Sequence, residues 1–152
     1  MLVIRPVARS ELERVAKVIN EANSQAYREI VPPKYFKSPF VTKEDLERLL
    51  DRGARVLVAE LSGDVVGCAF LLPLEQAGEV KHVYVLPSYQ RMGLGSALMQ
   101  AIEEEAKRMN IKKLKLSVDS EAYWAVSFYS KLGYRVVGIV RRELGPDYAP
   151  VV

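Results

Sequence analysis

The spacing of apolar residues along the chain changes several times between the period of a strand and the period of a helix. Short apolar or alternating runs predict strands at residues 2–5, 54–61, 65–72, 79–86, 113–118 and 134–142. Apolar residues three and four positions apart predict helices at residues 10–23, 42–52, 94–109 and 123–132. This order, β-α-α-β-β-β-α-β-α-β, predicts an α/β protein with a central mixed sheet and helices on both faces.

Capping residues and glycines mark where several of these elements begin and end. Ser10-x-x-Glu13 and Thr42-x-x-Asp45 have the spacing of a capping box, so we expect Ser10 and Thr42 to start the first two helices. Gly53 and Gly133 are placed to end the second and the last helix. The turn Ser62-Gly63-Asp64 predicts that the strands on either side pair as an antiparallel hairpin.

The helical period is lost between Ser24 and Phe40, where prolines alternate with aromatic residues. Such a composition is typical of a loop, or of a short helix followed by a loop. The aromatic residues either pin this segment to the core or border a binding site, and the sequence leaves both interpretations open.

The 152-residue chain has the composition of an ordinary globular protein, with 49% hydrophobic and 27% charged residues. We therefore expect a single domain that spans residues 1–152. No apolar run is long enough to span a membrane, and the N-terminus lacks the pattern of a signal peptide, so we expect a cytoplasmic protein without a membrane partner. The net charge of +3 comes from scattered basic residues, and without a continuous basic stripe we expect no nucleic-acid partner.

The chain has one cysteine, Cys68, and one histidine, His82. A single cysteine cannot form an internal disulfide, and one histidine provides no cluster of metal ligands, so we expect chemistry without a metal. Cys68 lies in an apolar strand, where we expect it to be buried. His82 either relays protons, because an ordinary histidine titrates at about pH 6.5, or has a structural role.

One segment of the chain carries more chemical information than the rest. In it a predicted strand ends at Leu86, Pro87 follows, and Gln90-x-x-Gly93-x-Gly95 leads into the third predicted helix. The first N–H groups of a helix have no intrahelical acceptor, and the helix dipole gives them partial positive charge, so they bind anions. Glycine permits close approach of the backbone or a positive φ, and an arginine adds a cation. We therefore predict that a pyrophosphate binds at Gln90, Arg91, Met92, Gly93, Leu94, Gly95 and Ser96.

Two motifs resemble those of a known family. The pattern Val85-x-Pro87-x-x-Gln90-x-x-Gly93-x-Gly95 resembles the acetyl-CoA signature of the GCN5-related N-acetyltransferases, and Phe128-Tyr129-x-x-x-Gly133-Tyr134 resembles that family's late helix. The resemblance implies a GNAT-like acyl-CoA N-acyltransferase fold, with acetyl-CoA as the cosubstrate. Members usually finish with a further strand, which in this chain is either very short or cut off at Tyr148–Val152.

The resemblance also implies an activity. It is the transfer of the acetyl group of acetyl-CoA to a primary amine of a small molecule, a peptide or a protein, by direct attack in a ternary complex. The alternative is a non-catalytic module that binds CoA or acetyl-CoA as a sensor or for interaction. Proteins of this kind are often homodimers, and no readable motif identifies the acceptor.

The same resemblance implies roles for individual residues. Glu79 lies eleven residues before Gln90, the offset at which the histone-acetylating branch carries its catalytic glutamate, so Glu79 is the candidate base. The structural alternative is an exposed carboxylate at the start of a strand. Tyr129 matches the tyrosine that lies beside the cofactor sulfur and is the candidate acid. The family's bulged, splayed strand implies that pantetheine and the oxyanion contact the backbone of Val83, Tyr84 and Val85.

Overall fold

The computed structural model describes residues 1–27, 39–141 and 150–151. They form two compact units: the described residues of the first are 1–25 and 39–116, and those of the second are 26–27, 117–141 and 150–151. No helix among the described residues is long and apolar enough to cross a lipid bilayer.

The first unit contains a five-stranded sheet and most of the helical residues. Its helices are α1 (Leu12–Tyr27, with its last two residues in the second unit), α2 (Lys43–Asp51) and α3 (Leu94–Arg108). Its strands are β1 (Leu2–Pro6), β2 (Arg55–Leu61), β3 (Asp64–Pro73), β4 (Gly78–Val85) and β5 (Leu114–Lys115). The second unit contains α4 (Tyr123–Lys131), β6 (Val140–Arg141) and β7 (Pro150–Val151).

The five strands of the first unit lie side by side in their order along the chain. Neighbouring strands are antiparallel except β4 and β5, which are parallel, so the predicted mixed sheet is confirmed. The parallel pairing is short, because only Gly78 and Glu79 of β4 have partners in β5. Beyond Glu79, β4 has only β3 as a strand neighbour within the described part of the chain.

Helices cover both faces of this sheet, as predicted. One apolar cluster joins α1 and α2 to side chains of β2 and β3, among them Val56, Val58, Cys68, Phe70 and Leu72. The intervening residues of these strands face the opposite side, where Leu98 of α3 lies against Gly67. A Cβ atom at Gly67 would lie 3.2 Å from the Leu98 side chain and 3.0 Å from the Tyr84 carbonyl oxygen, so the close packing requires glycine.

The start of α1 differs from the prediction. Ser10 lies within a short 3-10 turn, Arg9–Glu11, and α1 begins only at Leu12. The carboxylate of Glu11 accepts a hydrogen bond from the Ala8 N–H at 3.3 Å. Glu11 therefore satisfies the backbone donor that precedes the turn, and the prediction that Ser10 caps the helix is wrong.

The end of α1 is also later than predicted. The helix extends to Tyr27, so the first part of the predicted loop is helical, and residues 28–38 lie outside the described residues. The start of α2 is confirmed, because the Thr42 hydroxyl accepts from the Asp45 N–H at 3.2 Å and the Asp45 carboxylate accepts from the Thr42 N–H at 2.8 Å. Gly53, with a φ of 98°, follows the end of α2, also as predicted.

The hairpin of β2 and β3 is confirmed. Its two turn residues, Ser62 and Gly63, have φ values of 52° and 88°. Two successive positive φ angles match the right-handed twist of the strands on either side.

Two predicted strands are shorter than their sequence patterns. Residues 114–118 alternate between half-buried and exposed, yet only Leu114–Lys115 form a strand. In the second unit the predicted strand at residues 134–142 is reduced to β6 over its described part, and β6 pairs with β7. The further strand expected near the C-terminus is present as β7 in the described part of the chain. An alternating pattern marks a half-buried surface, whereas a strand also needs a neighbouring backbone to bond with.

Candidate functional site

A bulge interrupts β4 in the region predicted to contact the cofactor. Cys68 of β3 pairs with Tyr84 and Phe70 pairs with Lys81, so His82 and its successor on β4 oppose a single residue of β3. His82 has a φ of 52°, the left-handed conformation that such an insertion can produce. The bulge implied by the family resemblance is therefore present.

The bulge lies where β4 and β5 have separated. Their ladder ends at Glu79, and the residues of β4 beyond Glu79 have no partner in β5. We call the space beside these residues, on the β5 side of β4, the gap. Val83, Tyr84 and Val85, the residues that the resemblance assigns to the cofactor, form no ladder with β5. Tyr84 and Val85 pair with Cys68 and Gly67 of β3, and the Val85 carbonyl accepts from the Gln90 side chain.

The predicted pyrophosphate loop connects β4 to α3. A 3-10 turn at Pro87–Tyr89 is followed by Arg91 with a φ of 65° and Gly93 with a φ of 80°. α3 begins directly after Gly93, and Ala97 is the first residue whose N–H bonds back, to the Gly93 carbonyl at 3.0 Å. Helix geometry leaves the N–H groups of the residues between without an intrahelical acceptor. These donors all lie at one end of one helix.

Two hydrogen bonds anchor this loop to the sheet. The Leu86 N–H donates to the Val66 carbonyl at 2.8 Å. The side-chain amide of Gln90 donates to the Val85 carbonyl at 3.1 Å. Gln90 therefore ties the loop to the last residue of β4, a contact that the sequence motif did not specify.

The residues of the loop differ in what they can offer a ligand. Gly93 is exposed, and a Cβ atom there would meet nothing within 4 Å. Glycine is therefore favoured at this position by the positive φ and not by close packing. Leu94 is 3% exposed and can contribute only its backbone. Arg91 and Met92 are exposed, and Arg91 holds a left-handed conformation that is costly for a residue with a side chain. Strain of this kind is concentrated at functional sites.

Glu79 occupies the start of β4, where it is half-buried. Its carboxylate lies 3.9 Å from the Lys81 ammonium. Glu79 and Lys81 pair in register with Leu72 and Phe70, so all four lie on the face of the sheet that α1 and α2 cover. The Glu79 side chain is 27% exposed, so its carboxylate is partly accessible to solvent.

The side chains of Tyr84 and His82 also lie on this face. The Tyr84 hydroxyl donates to the side-chain oxygen of Asn23 on α1 at 3.0 Å. The His82 ring lies edge-on to Phe70, with centroids 5.4 Å apart, and is stacked on Tyr84 at 6.4 Å. Burial and, to a smaller extent, the Lys81 charge lower the pKa of His82 to about 4, although the Asp45 charge raises it. His82 is therefore a neutral imidazole at neutral pH.

Cys68 is fully buried beside the bulge, as predicted. Its thiol donates to the His82 carbonyl at 3.3 Å. Burial raises the pKa of this thiol to about 12. The one cysteine of the chain is thus enclosed and protonated, and it is not a nucleophile.

Tyr129 lies in the second unit, whereas the other predicted site residues lie in the first. It is near the end of α4, with the Phe128 ring at 5.0 Å and the Tyr134 ring at 5.9 Å between centroids. Burial raises the pKa of the Tyr129 phenol above its ordinary range, and Tyr27 and Tyr134 add to the rise. The hydroxyl is therefore a neutral donor at physiological pH. Gly133 has a φ of 99° and follows the end of α4, as predicted.

Sequence reasoning missed two residues of this region. Asn23 is the buried polar residue that receives the Tyr84 hydrogen bond, and Gly67 allows α3 and β4 to approach β3 closely. Asn23 fell at the predicted end of the first helix, and Gly67 looked like an ordinary strand glycine. Neither position carries a local signal, because the partner of each lies far away in the sequence.

Comparisons with known proteins agree with this geometry. The acetyltransferase (GNAT) family model matches residues 16–134. An N-alpha-acetyltransferase of Sulfurisphaera tokodaii is 29% identical over 153 residues, covering 91% of this chain and 83% of that protein. The spermidine N(1)-acetyltransferase of Escherichia coli K12 is 30% identical over 154 residues, covering 92% of this chain and 76% of that protein.

Solved structures show the same fold. The PaiA N-acetyltransferase of Thermoplasma acidophilum, in complex with coenzyme A, superposes with a TM-score of 0.79 at 21% identity. The match covers 99% of this chain and 97% of that one. The ribosomal-protein-S18-alanine N-acetyltransferase of Escherichia coli also has a TM-score of 0.79, at 18% identity, over 99% of this chain and 89% of that one.

Proposed function

The chain belongs to the acetyltransferase (GNAT) family and is an acetyl-CoA-dependent N-acetyltransferase, and we propose that a primary amine attacks acetyl-CoA directly while both are bound. The fully buried Cys68 carries the proposal of direct attack. A route through an acetylated enzyme needs an accessible nucleophile, and the only thiol is enclosed and protonated. The family match favours this enzyme over a non-catalytic sensor.

The loop between β4 and α3 is proposed to hold the diphosphate of the cosubstrate. The N–H groups of Gly93, Leu94, Gly95 and Ser96 are oriented by the helix and carry its partial positive charge. The exposed Arg91 and the backbone of Met92 complete the anion site. Gln90 acts through its bond to Val85, which holds the loop against the end of β4.

The bulged strand is proposed to align the reacting group. Acetyl-CoA supplies an acetyl group activated as a thioester. The backbone of Val83, Tyr84 and Val85 borders the gap left by β5, where it can bond the pantetheine arm and stabilise the oxyanion. Donors in a folded strand are pre-oriented, so they need no reorganisation as charge develops.

Glu79 is proposed to remove the proton from the acceptor amine. An alkyl amine has a pKa of about 10.4, so almost every acceptor arrives as an ammonium ion and must lose a proton before attack. The position of Glu79 supports this role, because the residue is half-buried and is the last of β4 that pairs with β5, next to the gap. The positive charge of Lys81, 3.9 Å from this carboxylate, repels an ammonium ion and so favours its deprotonation.

Tyr129 is proposed to donate a proton to the leaving thiolate. Its phenol stays protonated throughout the neutral range because burial raises its pKa. A neutral donor of this kind stabilises the developing thiolate without adding a competing charge.

The acceptor is proposed to be an aliphatic primary amine. This class is supported by the names of two relatives, an N-alpha-acetyltransferase and a spermidine N(1)-acetyltransferase.

The experiment that tests this function measures CoA release with a panel of primary amines that includes spermidine and peptides with free N-termini. We expect turnover with at least one amine. When both substrates are varied, double-reciprocal plots of the initial rate should give intersecting lines, as a ternary complex requires. Parallel lines would contradict direct attack. Binding of acetyl-CoA by calorimetry without turnover on any amine would contradict the proposed reaction.

A further inference from the structure

His82 adopts a backbone conformation that is unusual for its place in the fold. Four non-glycine residues of the described chain have a positive φ, and Ser62, Arg91 and Asn110 of these lie in turns. His82, with a φ of 52°, lies inside a strand. A left-handed conformation is unfavourable for a residue with a side chain. Other contacts must therefore hold the chain in this conformation.

The side chain of His82 provides those contacts. Its ring forms T-shaped pairs with the rings of Phe70 and Phe40. The ring centroids are 5.4 Å and 6.0 Å apart, and the interplanar angles are 80° and 79°. Tyr84 is stacked on it at 6.4 Å and 24°. Edge-to-face and offset-stacked arrangements are the favourable geometries of aromatic pairs. The half-buried ring thus contacts neighbours on β3, on β4 and on the segment before α2.

Phe40 is itself held in a defined position. The residue after it, Val41, both donates its N–H to the Asn20 side-chain oxygen at 2.9 Å and accepts from the Asn20 amide at 2.9 Å. This pair of hydrogen bonds fixes the chain to α1 where it returns from the connection between α1 and α2. The position of Phe40 against His82 is therefore coupled to the end of that connection.

We propose that His82 is a positioning residue, whose ring, packed against Phe40 and Phe70, holds the β4 bulge and so links Phe40 to the backbone that is proposed to align the thioester. The inference rests on the proposed function, because it assigns the reaction to the gap beside the bulge. The Cys68 thiol supports the same backbone by donating to the His82 carbonyl.

The identity of the residue follows from these two demands. The site needs a ring to fill the space between two phenylalanines, and it needs a residue that tolerates the left-handed conformation. Histidine meets both, because it is several-fold enriched among left-handed residues, together with asparagine and aspartate. Phenylalanine would keep the ring with a poorer backbone fit, and asparagine would keep the backbone without the ring.

Three variants separate these contributions: His82→Asn, His82→Phe and Phe40→Leu. We expect kcat to fall about tenfold in each, with the Kd for CoA changed less than about threefold, since a small displacement of reacting groups slows catalysis while the free N–H groups at the start of α3 stay in place. The double variant H82N/F40L should have the same kcat as H82N, because H82N already removes the contact between the two rings. Ser62→Gly, which relieves a positive φ in a remote turn, is the control and should keep the wild-type kcat.

Hydrogen exchange of the Tyr84 and Leu86 amides provides a readout that does not need turnover. Tyr84 pairs with Cys68 of β3, and the Leu86 N–H donates to the Val66 carbonyl. We expect these amides to exchange about tenfold faster in His82→Asn, whereas exchange in α3 should stay unchanged, because local opening sets the rate. Unchanged exchange together with wild-type kcat, or fully additive losses in the double variant, would overturn the proposal. If the wild type turned over no amine, the exchange rates would still decide the role of His82, while the proposed function would fail separately. If His82→Asn did not fold, Phe40→Leu would decide by the same readouts.

Discussion

The phenol of Tyr84 on β4 donates a hydrogen bond to the side-chain oxygen of Asn23 on α1, at 3.0 Å. Asn23 is only 6% exposed, so this bond joins the strand beside the proposed thioester site to the helix that covers it. It also directs the Tyr84 side chain toward α1, so the contact proposed between this residue and the cosubstrate involves its backbone. The side chain of Tyr84 stabilises the fold, and its backbone serves the proposed site.

Tyr84→Phe should therefore destabilise the protein without weakening CoA binding. Loss of the donor to a buried amide oxygen costs about 1–3 kcal/mol. In a protein of this size each kcal/mol lowers Tm by about 2–4 °C. Thermal unfolding and calorimetry with CoA test both parts. The double variant Y84F/N23L removes both polar partners and should recover part of the lost stability; a large fall in CoA affinity with Y84F alone would contradict the assignment.

Gly93→Val should weaken CoA binding through the backbone alone. The φ of 80° at Gly93 disfavours any residue with a Cβ atom by about 1–2 kcal/mol, although the space around it is open. We expect the Kd from calorimetry to rise about tenfold for valine and less for Gly93→Asn, because asparagine tolerates this conformation. Gly138 also lies in open space but without a positive φ, so Gly138→Val is the control. Equal Kd values for the valine and asparagine variants would count against a conformational role.

Glu79→Gln should slow the reaction near neutral pH and regain rate as the pH rises. Loss of a general base costs about 10²-fold or more, and the loss shrinks as the amine becomes neutral by itself. The pH profile of kcat/KM for the amine is the measurement. Glu75→Gln, at an exposed position outside β4, is the matched control. A deficit that stays constant across the pH range would mean that Glu79 has another role.

Tyr129→Phe should lower kcat about 10–100-fold with little change in the Kd for acetyl-CoA, because it removes a proton donor and keeps the ring. Because the pKa of Tyr129 is raised, ionisation of this phenol should not lower the wild-type kcat up to about pH 10. Tyr123→Phe, on the same helix and 76% exposed, controls for the loss of a hydroxyl. An unchanged kcat in Tyr129→Phe would remove this residue from the mechanism.

Stability should fall as the pH decreases below about 6.5, and His82 should account for part of the loss. The pKa of His82 is about 4 in the folded chain against an ordinary 6.5, so between these values the unfolded chain holds a proton that the folded chain does not. Acid therefore favours unfolding, by at most about 3 kcal/mol over the whole window. The neighbouring charges, Lys81 and Asp45, act in opposite directions on this pKa.

Denaturant unfolding at pH 7 and at pH 5 tests this expectation, with His82→Asn as the comparison. The variant should lose less stability over this interval than the wild type. Glu11 does not interfere, because its hydrogen bond with Arg5 lowers the pKa of its carboxyl from 4.5 to about 2, so its contribution is lost only at lower pH. Identical pH dependence in both proteins would show that His82 titrates normally in the folded state.

The elements that were predicted correctly rest on local chemistry. Thr42 and Asp45 satisfy each other's backbone donors within one turn, and Gly53 and Gly133 adopt the positive φ that ends their helices. Ser10 failed because Glu11, one residue on, accepts from the Ala8 N–H instead. β5 and the described part of β6 are shorter than predicted, because a strand extends only as far as a neighbouring backbone accompanies it.

The sequence by itself determined the order of the elements, the family, and the loop at Gln90–Ser96, since the free donors at the start of a helix depend only on where the helix begins. Only the tertiary structure decided the directions of the β4 side chains and the roles open to His82, Tyr84 and Cys68. Alternation assigns faces only while a ladder is regular, and the bulge at His82 breaks it. Whether a strand takes in an extra residue depends on its neighbour and on rings such as Phe40, which lies 42 positions earlier in the chain.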